Sequence, residues 1–249
     1  MNHCYPLWDM TLINNVSLEP AFVLHTRPYQ ETSILVDFFT RSYGRLNAIA
    51  KGAKRPKSPL RSVLTPASKL SVSLSGKSEL KTLSSVEIID HFQLNNGLSF
   101  NSIMYVNELI IKATEKEDPH AAIFDDYEIL IKKLSYQSDS VNLEQNLRNF
   151  ELNLLQEMGY GIDLSRDAET NKKIEKECIY KFYPDKGFAL DKGKVASKKS
   201  FSGLDIINFK KGNFEKKETR DASKIIMRMA LDFHLGSKTL NIRKYLTKN

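Results

Sequence analysis

The stretch Lys51-Gly52-Ala53-Lys54-Arg55-Pro56-Lys57-Ser58-Pro59-Leu60-Arg61 sets five cations in 11 residues. One glycine and two prolines oppose regular structure, so it reads as a mobile cationic loop, and the chemistry open to such a loop is electrostatic: it can follow a phosphate backbone. The excess extends beyond the loop. Residues 41 to 81 hold ten basic side chains (Arg41, Arg45, Lys51, Lys54, Arg55, Lys57, Arg61, Lys69, Lys77 and Lys81) against Glu79 alone. A local excess of this size draws polyanions through counterion release, and nucleic acid is the commonest large polyanion of a cytoplasm. The competing readings are a solvated basic face and a disordered linker. Tyr29, Phe38, Phe39 and Tyr43 supply rings nearby. Phe38 and Phe39 are neighbours on a predicted strand, so one faces inward and the other is available to the surface.

Bond-making chemistry finds less support. The five histidines, His3, His25, His91, His120 and His234, are scattered and lack the i, i+4 partner or the paired cysteines that a metal site requires. There is no GxSxG elbow and no GxxxxGK[ST] phosphate loop, and Gly159-Tyr160-Gly161 follows a predicted helix as its stop. One pattern has the order of a magnesium-dependent nuclease: Pro184-Asp185, 29 residues, then Glu215-Lys216-Lys217. Asp185 and Glu215 would hold the ion and Lys217 would steady the attacking water. Turn chemistry explains Pro184-Asp185-Lys186-Gly187 equally without a metal. Cys4 and Cys178 are the two cysteines, which excludes a disulfide framework and a four-sulfur zinc site and suits a reducing cytoplasm. The first Lys or Arg is Arg27, and Asp9 and Glu19 interrupt the early apolar residues, so no signal peptide is expected. No run is apolar enough for a bilayer, so no membrane partner is expected.

The elements that position these residues follow from periodicity in a chain of 249 residues, 41% hydrophobic and 27% charged. Residues 1 to 19 show weak periodicity and are expected to be a flexible N-terminal extension. Short strands are predicted at about 20–27, 32–40, 45–51, 68–74 and 79–92, with alternation in Phe22, Leu24 and Thr26 and in Ile34, Val36 and Phe38. Five such strands suggest a small closed barrel over 20–97. Beyond Asn95-Asn96-Gly97 the period is helical: about 99–116 with Phe100, Ile103, Val106 and Ile110; from Asp118-Pro119 with Ile123, Tyr127, Leu130 and Leu134; and from Asn142 with Leu143, Leu147, Phe150, Leu154 and Met158. Residues 178–191 read as a hairpin, within an insertion at about 171–203, and a last helix at 220–235 carries Ile226, Met229, Ala230 and Phe233. Charge divides along the same lines. Residues 1–97 carry 11 basic and 7 acidic residues, 98–170 carry 6 and 14, and 171–249 carry 20 and 9.

Ala21-Phe22-Val23-Leu24-His25-Thr26-Arg27-Pro28 with Glu31-Thr32-Ser33 and Lys51-Gly52-Ala53 resembles the start of the RecO family of bacterial recombination mediators. Tyr105, Asn107, Glu108 and Leu109, then Leu147-Arg148, Phe150-Glu151-Leu152, Leu154-Leu155 and Gly159-Tyr160-Gly161, continue the resemblance. Lys186-Gly187-Phe188, Met229-Ala230-Leu231, Leu235-Gly236, Lys238, Leu240 and Arg243 complete it from about residue 20 to the C-terminus. The resemblance implies an α+β protein: an N-terminal OB-fold β-barrel at 20–97, then a helical domain at 98–249 with a small β-hairpin insertion. It implies a cytoplasmic, nucleoid-associated protein without enzymatic activity or cofactor. Such a protein binds single- and double-stranded DNA and anneals complementary strands. It also binds RecR and the acidic C-terminal tail of single-stranded DNA-binding protein, and so helps to load RecA. The expected DNA-binding residues are Arg27, Arg45, Lys51, Lys54, Arg55, Lys57, Arg61 and Lys81. Arg148 matches a family position that grips the acidic tail, with a pocket of Leu109, Leu152 and Leu155; the competing reading is an ion pair with a neighbour such as Glu144. Two departures stand out. Some members hold zinc on paired cysteines where this chain has Cys178 alone, so no metal is expected and Ile179, Phe182, Phe188 and Leu190 must pack the hairpin. No family counterpart is expected for the residues before Pro20.

Overall fold

A computed structural model describes residues 14–94, 97–136, 140–193, 200–236 and 240. The chain divides into two compact units: Met1–His91 with Lys116–Pro119, and Phe92–Glu115 with His120–Asn249.

In the first unit β1 (Asn15–Tyr29), β2 (Ser33–Thr40), β3 (Gly44–Ala50), β4 (Ser68–Ser75) and β5 (Leu80–His91) close into a barrel in the order β1-β2-β3-β5-β4. β3 and β5 pair in parallel and the other neighbours antiparallel, the arrangement expected of an OB-fold. β4 shows why these residues form strands. Leu70, Val72 and Leu74 point inward, while Ser71, Ser73 and Ser75 are half-buried outside. In β1 the interior takes Ala21 and Val23, and Phe22 and Leu24 occupy the opposite face, where they are equally buried. Alternation alone could not say which face was the barrel's interior, because both are covered.

The strand limits correct the expected extension. β1 starts at Asn15, Val16 is buried in the barrel core, and Asn15 to Glu19 pair with Ser75 to Val72. The irregular register between Val16 and Glu19, where Leu18 has φ 50° and is exposed, breaks the alternation that would have marked a strand. The rest of the expected extension, residues 1–13, lies outside the described residues, as do Asn95, Asn96, Lys238 and Arg243.

Residues 116–119 fasten onto the β2–β3 corner. The Glu117 amide donates to the Arg45 carbonyl at 3.0 Å, and Gly44, at φ 66°, leaves no space for a side chain: a Cβ there would sit 2.0 Å from the Asp118 carbonyl oxygen. The barrel unit is therefore discontinuous in sequence.

The second unit holds α2 (Gly97–Ala113), α3 (Ala121–Tyr136), α4 (Ser140–Glu157), α5 (Gly203–Lys211) and α6 (Lys217–His234), following α1 (Leu60–Val63) of the barrel unit. It also holds a three-stranded sheet in the order β7-β6-β8, from β6 (Ile179–Tyr183), β7 (Gly187–Leu190) and β8 (Ser200–Ser202). Ile103, Val106 and Ile110 of α2, Ile123, Tyr127, Leu130 and Leu134 of α3, and Leu147, Phe150 and Leu154 of α4 are buried, as the helical period predicts. The Tyr127 hydroxyl donates to Asn107, and its ring meets Phe150 edge-on at 6.4 Å. Burial pushes the Tyr127 hydroxyl far above its ordinary value.

Four expected core residues are outside. Phe100 is 47% and Phe233 56% exposed, and in α6 the buried stripe is Ile226, Met227, Ala230 and Leu231. In the hairpin, Phe182 and Phe188 are buried with ring centroids 4.9 Å apart, but Ile179 and Leu190 are exposed. Tyr180 fills the remaining inward position, since it lies two residues from Phe182 on the same strand face. α5 has no counterpart in the sequence reading. Its Ser202 cap accepts from the Asp205 amide at 3.2 Å, and Gly212 closes it at φ 69°. Among the described residues no helix is long and apolar enough to cross a membrane.

Candidate nucleic-acid interface

The cationic segment after β3 is not a free linker. Gly52 turns at φ 72°, and the chain then winds through successive turns: the Arg55 amide donates to the Gly52 carbonyl at 3.1 Å, Ser58 to Arg55 at 3.0 Å, and Leu64 to Leu60 at 2.9 Å. The Lys54 amide donates to the Thr32 carbonyl at 2.9 Å and its ammonium to the Gln30 carbonyl at 3.2 Å, which ties the segment to the β1–β2 turn. Ala53 and Leu64 are buried in the barrel core, and Leu60 and Val63 pack against it. These apolar residues alternate with the cations and plug the end of the barrel where β1 and β3 finish and β2 and β4 begin. Burial of their surface is what replaces the expected mobility by fixed turns.

Pinning the backbone turns the cations outward. Arg27, Lys51, Lys54, Arg55, Lys57 and Arg61 are all exposed. Among the described residues no carboxylate lies within ion-pair distance of Arg27, Lys51, Arg55, Lys57 or Arg61. Glu79, the one acidic residue of 41–81, is engaged by the Lys116 ammonium, which holds its carboxyl below the usual range. The cap is thus a fixed array of unopposed positive charge, suited to a polyanion.

Two expected members leave this array. Lys81 sits opposite inward-facing Ala48, with its side chain 1% exposed; its ammonium donates to the Ser78 carbonyl at 2.8 Å and lies 3.7 Å from a Glu117 oxygen. Arg45 is buried at the corner that Glu117 covers. Neither can meet a phosphate without displacing that strap. The alternation of Lys81 with Leu83 was the available signal that Lys81 points inward. The expected surface ring is absent as well. Phe38 fills the barrel and Phe39 is buried on the outer face beside Phe22, while Tyr29 and Tyr43 are half-buried.

On the helical unit, Arg148 pairs with Glu151 at 2.8 Å, not with Glu144, which faces Arg220 at 3.6 Å. The Glu151 carboxylate is fully buried and also accepts from the Tyr105 hydroxyl at 2.7 Å, so Arg148 is the partly exposed end of a buried polar chain. Of the expected pocket, Leu109 and Leu155 are enclosed in the core. Leu152, one helical turn after Arg148 and half-buried, can reach a partner beside it. Asp185 lies in the β6–β7 turn and Glu215 in the exposed link before α6; among the described residues no three His, Cys, Asp or Glu side chains group as a cation site. The nuclease reading gains no geometric support.

Two family models match the chain: recombination protein O N terminal over residues 15–92 and recombination protein O C terminal over residues 98–243. The chain is 41% identical over 233 residues to the DNA repair protein RecO of Polynucleobacter asymbioticus, a match covering 93% of this chain and 96% of that protein. It is 38% identical to the DNA repair protein RecO of Nitrosospira multiformis over 229 residues, covering 92% and 93%. It is equally similar, at 38% over 232 residues, to that of Haemophilus influenzae, covering 93% and 96%.

Proposed function

The chain belongs to the recombination protein O (RecO) family, and from that premise we propose that it is a non-enzymatic DNA repair and recombination mediator. It binds single- and double-stranded DNA and anneals complementary strands coated by single-stranded DNA-binding protein. With RecR, it assists the loading of RecA. The observation that carries this reading is the barrel cap: Lys51, Lys54, Arg55, Lys57 and Arg61 exposed together on a backbone fixed by Ala53 and Leu64. Cations held at fixed spacing neutralise phosphates and lower the repulsion that slows pairing of two strands, with no need of ATP. Arg148, held by Glu151 with Leu152 alongside, offers a cation beside an apolar side chain to the acidic tail of the coat protein. The site of action is the nucleoid.

The test mixes complementary labelled oligonucleotides, coated with the cognate single-stranded DNA-binding protein, with this protein and magnesium but without ATP. Products are resolved on native and denaturing gels. Full-length duplex formed faster than in the control is expected. Shortened strands would restore the nuclease built on Asp185, Glu215 and Lys217, and no change on either gel would leave a protein scaffold.

A further inference from the structure

The β6–β7 turn of the helical unit has two features that the barrel cap lacks. On one flank is a cavity of about 410 Å³ lined by Ala168, Glu169, Tyr183, Lys186 and Ala189, within the range of small-ligand sites, about 300–1,000 Å³. A group of rings also meets the turn. His234 stacks on Tyr160 with centroids 4.2 Å apart, meets Phe233 edge-on at 5.0 Å, and lies 3.1 Å from the Pro184 carbonyl oxygen through Nε2. Tyr160, Tyr183 and Phe233 are 45%, 42% and 56% exposed.

The cavity is preformed. The Asp167 carboxylate accepts from the Glu169 amide at 2.9 Å and the Thr170 amide at 2.7 Å with one oxygen, and from the Leu190 amide at 2.7 Å with the other. The Ala168 amide donates to the Phe188 carbonyl at 2.6 Å. Segment 168–170 is thereby locked to the hairpin, and the walls of the cavity are locked with it.

We propose that this hairpin is a second single-stranded DNA site, distinct in chemistry from the barrel cap and acting through the bases; it rests on the function proposed above. A base enters the cavity against the Tyr183 ring, with small walls at Ala168 and Ala189 that leave room for a flat ligand. Glu169 accepts from an exocyclic amine, and Lys186 meets the phosphate. The neighbouring bases of the strand stack on Tyr160 and Phe233. Exposed rings with a cation beside them fit a single strand, whose bases are unstacked and available, and not a duplex, whose faces are hidden. Annealing needs two strands held at once. The cap grips one by its phosphates and the hairpin holds the other with its bases in order.

The test irradiates the full chain bound to a single-stranded oligonucleotide containing 5-iododeoxyuridine and maps the crosslinked peptides. Crosslinks are expected both in the 51–61 segment and at Tyr160, Tyr183 or Phe233. Tyr183→Ala with Lys186→Ala should remove the hairpin crosslinks, weaken single-strand binding about fivefold or more, and slow annealing. Tyr183→Phe with Lys186→Arg should restore all three, which a merely misfolded hairpin would not allow. Crosslinks confined to 51–61, with annealing unchanged in the double alanine variant, would overturn the second site and leave the proposed function standing. Retention of an acidic, aromatic-ended peptide by the hairpin in place of the oligonucleotide would overturn it too. An absence of DNA binding anywhere would overturn both proposals.

Discussion

The barrel cap and the β6–β7 hairpin divide the surface chemistry of this protein between them. The cap exposes six cations and no large ring: Phe38 and Phe39 are fully enclosed, and Tyr29 and Tyr43 are half-buried. The hairpin region exposes three large rings, Tyr160, Tyr183 and Phe233, with Lys186 beside Tyr183 in the cavity. Charge density and base recognition are therefore separable. A cap without rings binds any polyanion and is weakened by salt, whereas a ring platform depends on unpaired bases and is far less sensitive to ionic strength.

The largest expected effect concerns a cation that belongs to neither region. Arg148→Ala leaves the fully buried Glu151 carboxylate without its cation and should cost about 3–5 kcal/mol of stability in urea unfolding; Arg148→Met with Glu151→Gln should recover most of it. A loss below about 1 kcal/mol would mean that Arg148 is as free as the cap cations. Next, Lys54→Ala, Arg55→Ala, Lys57→Ala and Arg61→Ala combined should weaken single-strand binding by about tenfold or more. The log–log salt slope should flatten by roughly 2.8, about 0.7 for each of the four contacts removed. Unfolding should barely change, because those side chains are exposed. An unchanged slope would make the cap a bystander.

Asp167→Asn should destabilise the hairpin by about 1–2 kcal/mol near neutral pH through its lost amide acceptors. Burial pushes the Asp167 carboxyl up, but hydrogen bonds from the Thr170, Leu190 and Glu169 amides outweigh it and hold it below the usual carboxylate range. Its stabilisation is therefore complete above about pH 4, the unfolded value, and is lost as pH falls through the lower folded value. The gap in melting temperature between wild type and variant should shrink over that window; a gap independent of pH would assign the effect to packing. Smallest of all, Lys57→Ala should reduce the salt slope by about 0.7 while Lys81→Ala leaves it unaltered. Equal changes from the two would return Lys81 to the DNA face.

What was legible in the sequence follows from local physics. Strands β2 to β5 and helices α2, α3 and α4 announce themselves because one face is buried and the period is 2.0 or 3.6. The N-terminal start of β1 was hidden by the irregularity at Leu18, and α5 by its brevity, with Ile206 and Phe209 set among polar and basic residues. The cations of the cap were legible as charge. That Ala53 and Leu64 would anchor them was not, since small apolar residues between prolines read as spacing. Burial of Lys81 and Arg45 depended on residues 116–119, which sequence separation conceals. The hairpin cavity needed a contact between segment 168–170 and β7 that no local pattern encodes.

The strap at residues 116–119 sets an order of events during synthesis. All five strands of the barrel have been synthesised once His91 is added, but Glu117, which receives Lys81 and donates to Arg45, follows 26 residues later with α2 in between. Until then the ammonium of Lys81 lacks its Glu117 partner, and the corner at Gly44 stands open. The first unit to begin folding is thus completed only after the second has started to emerge.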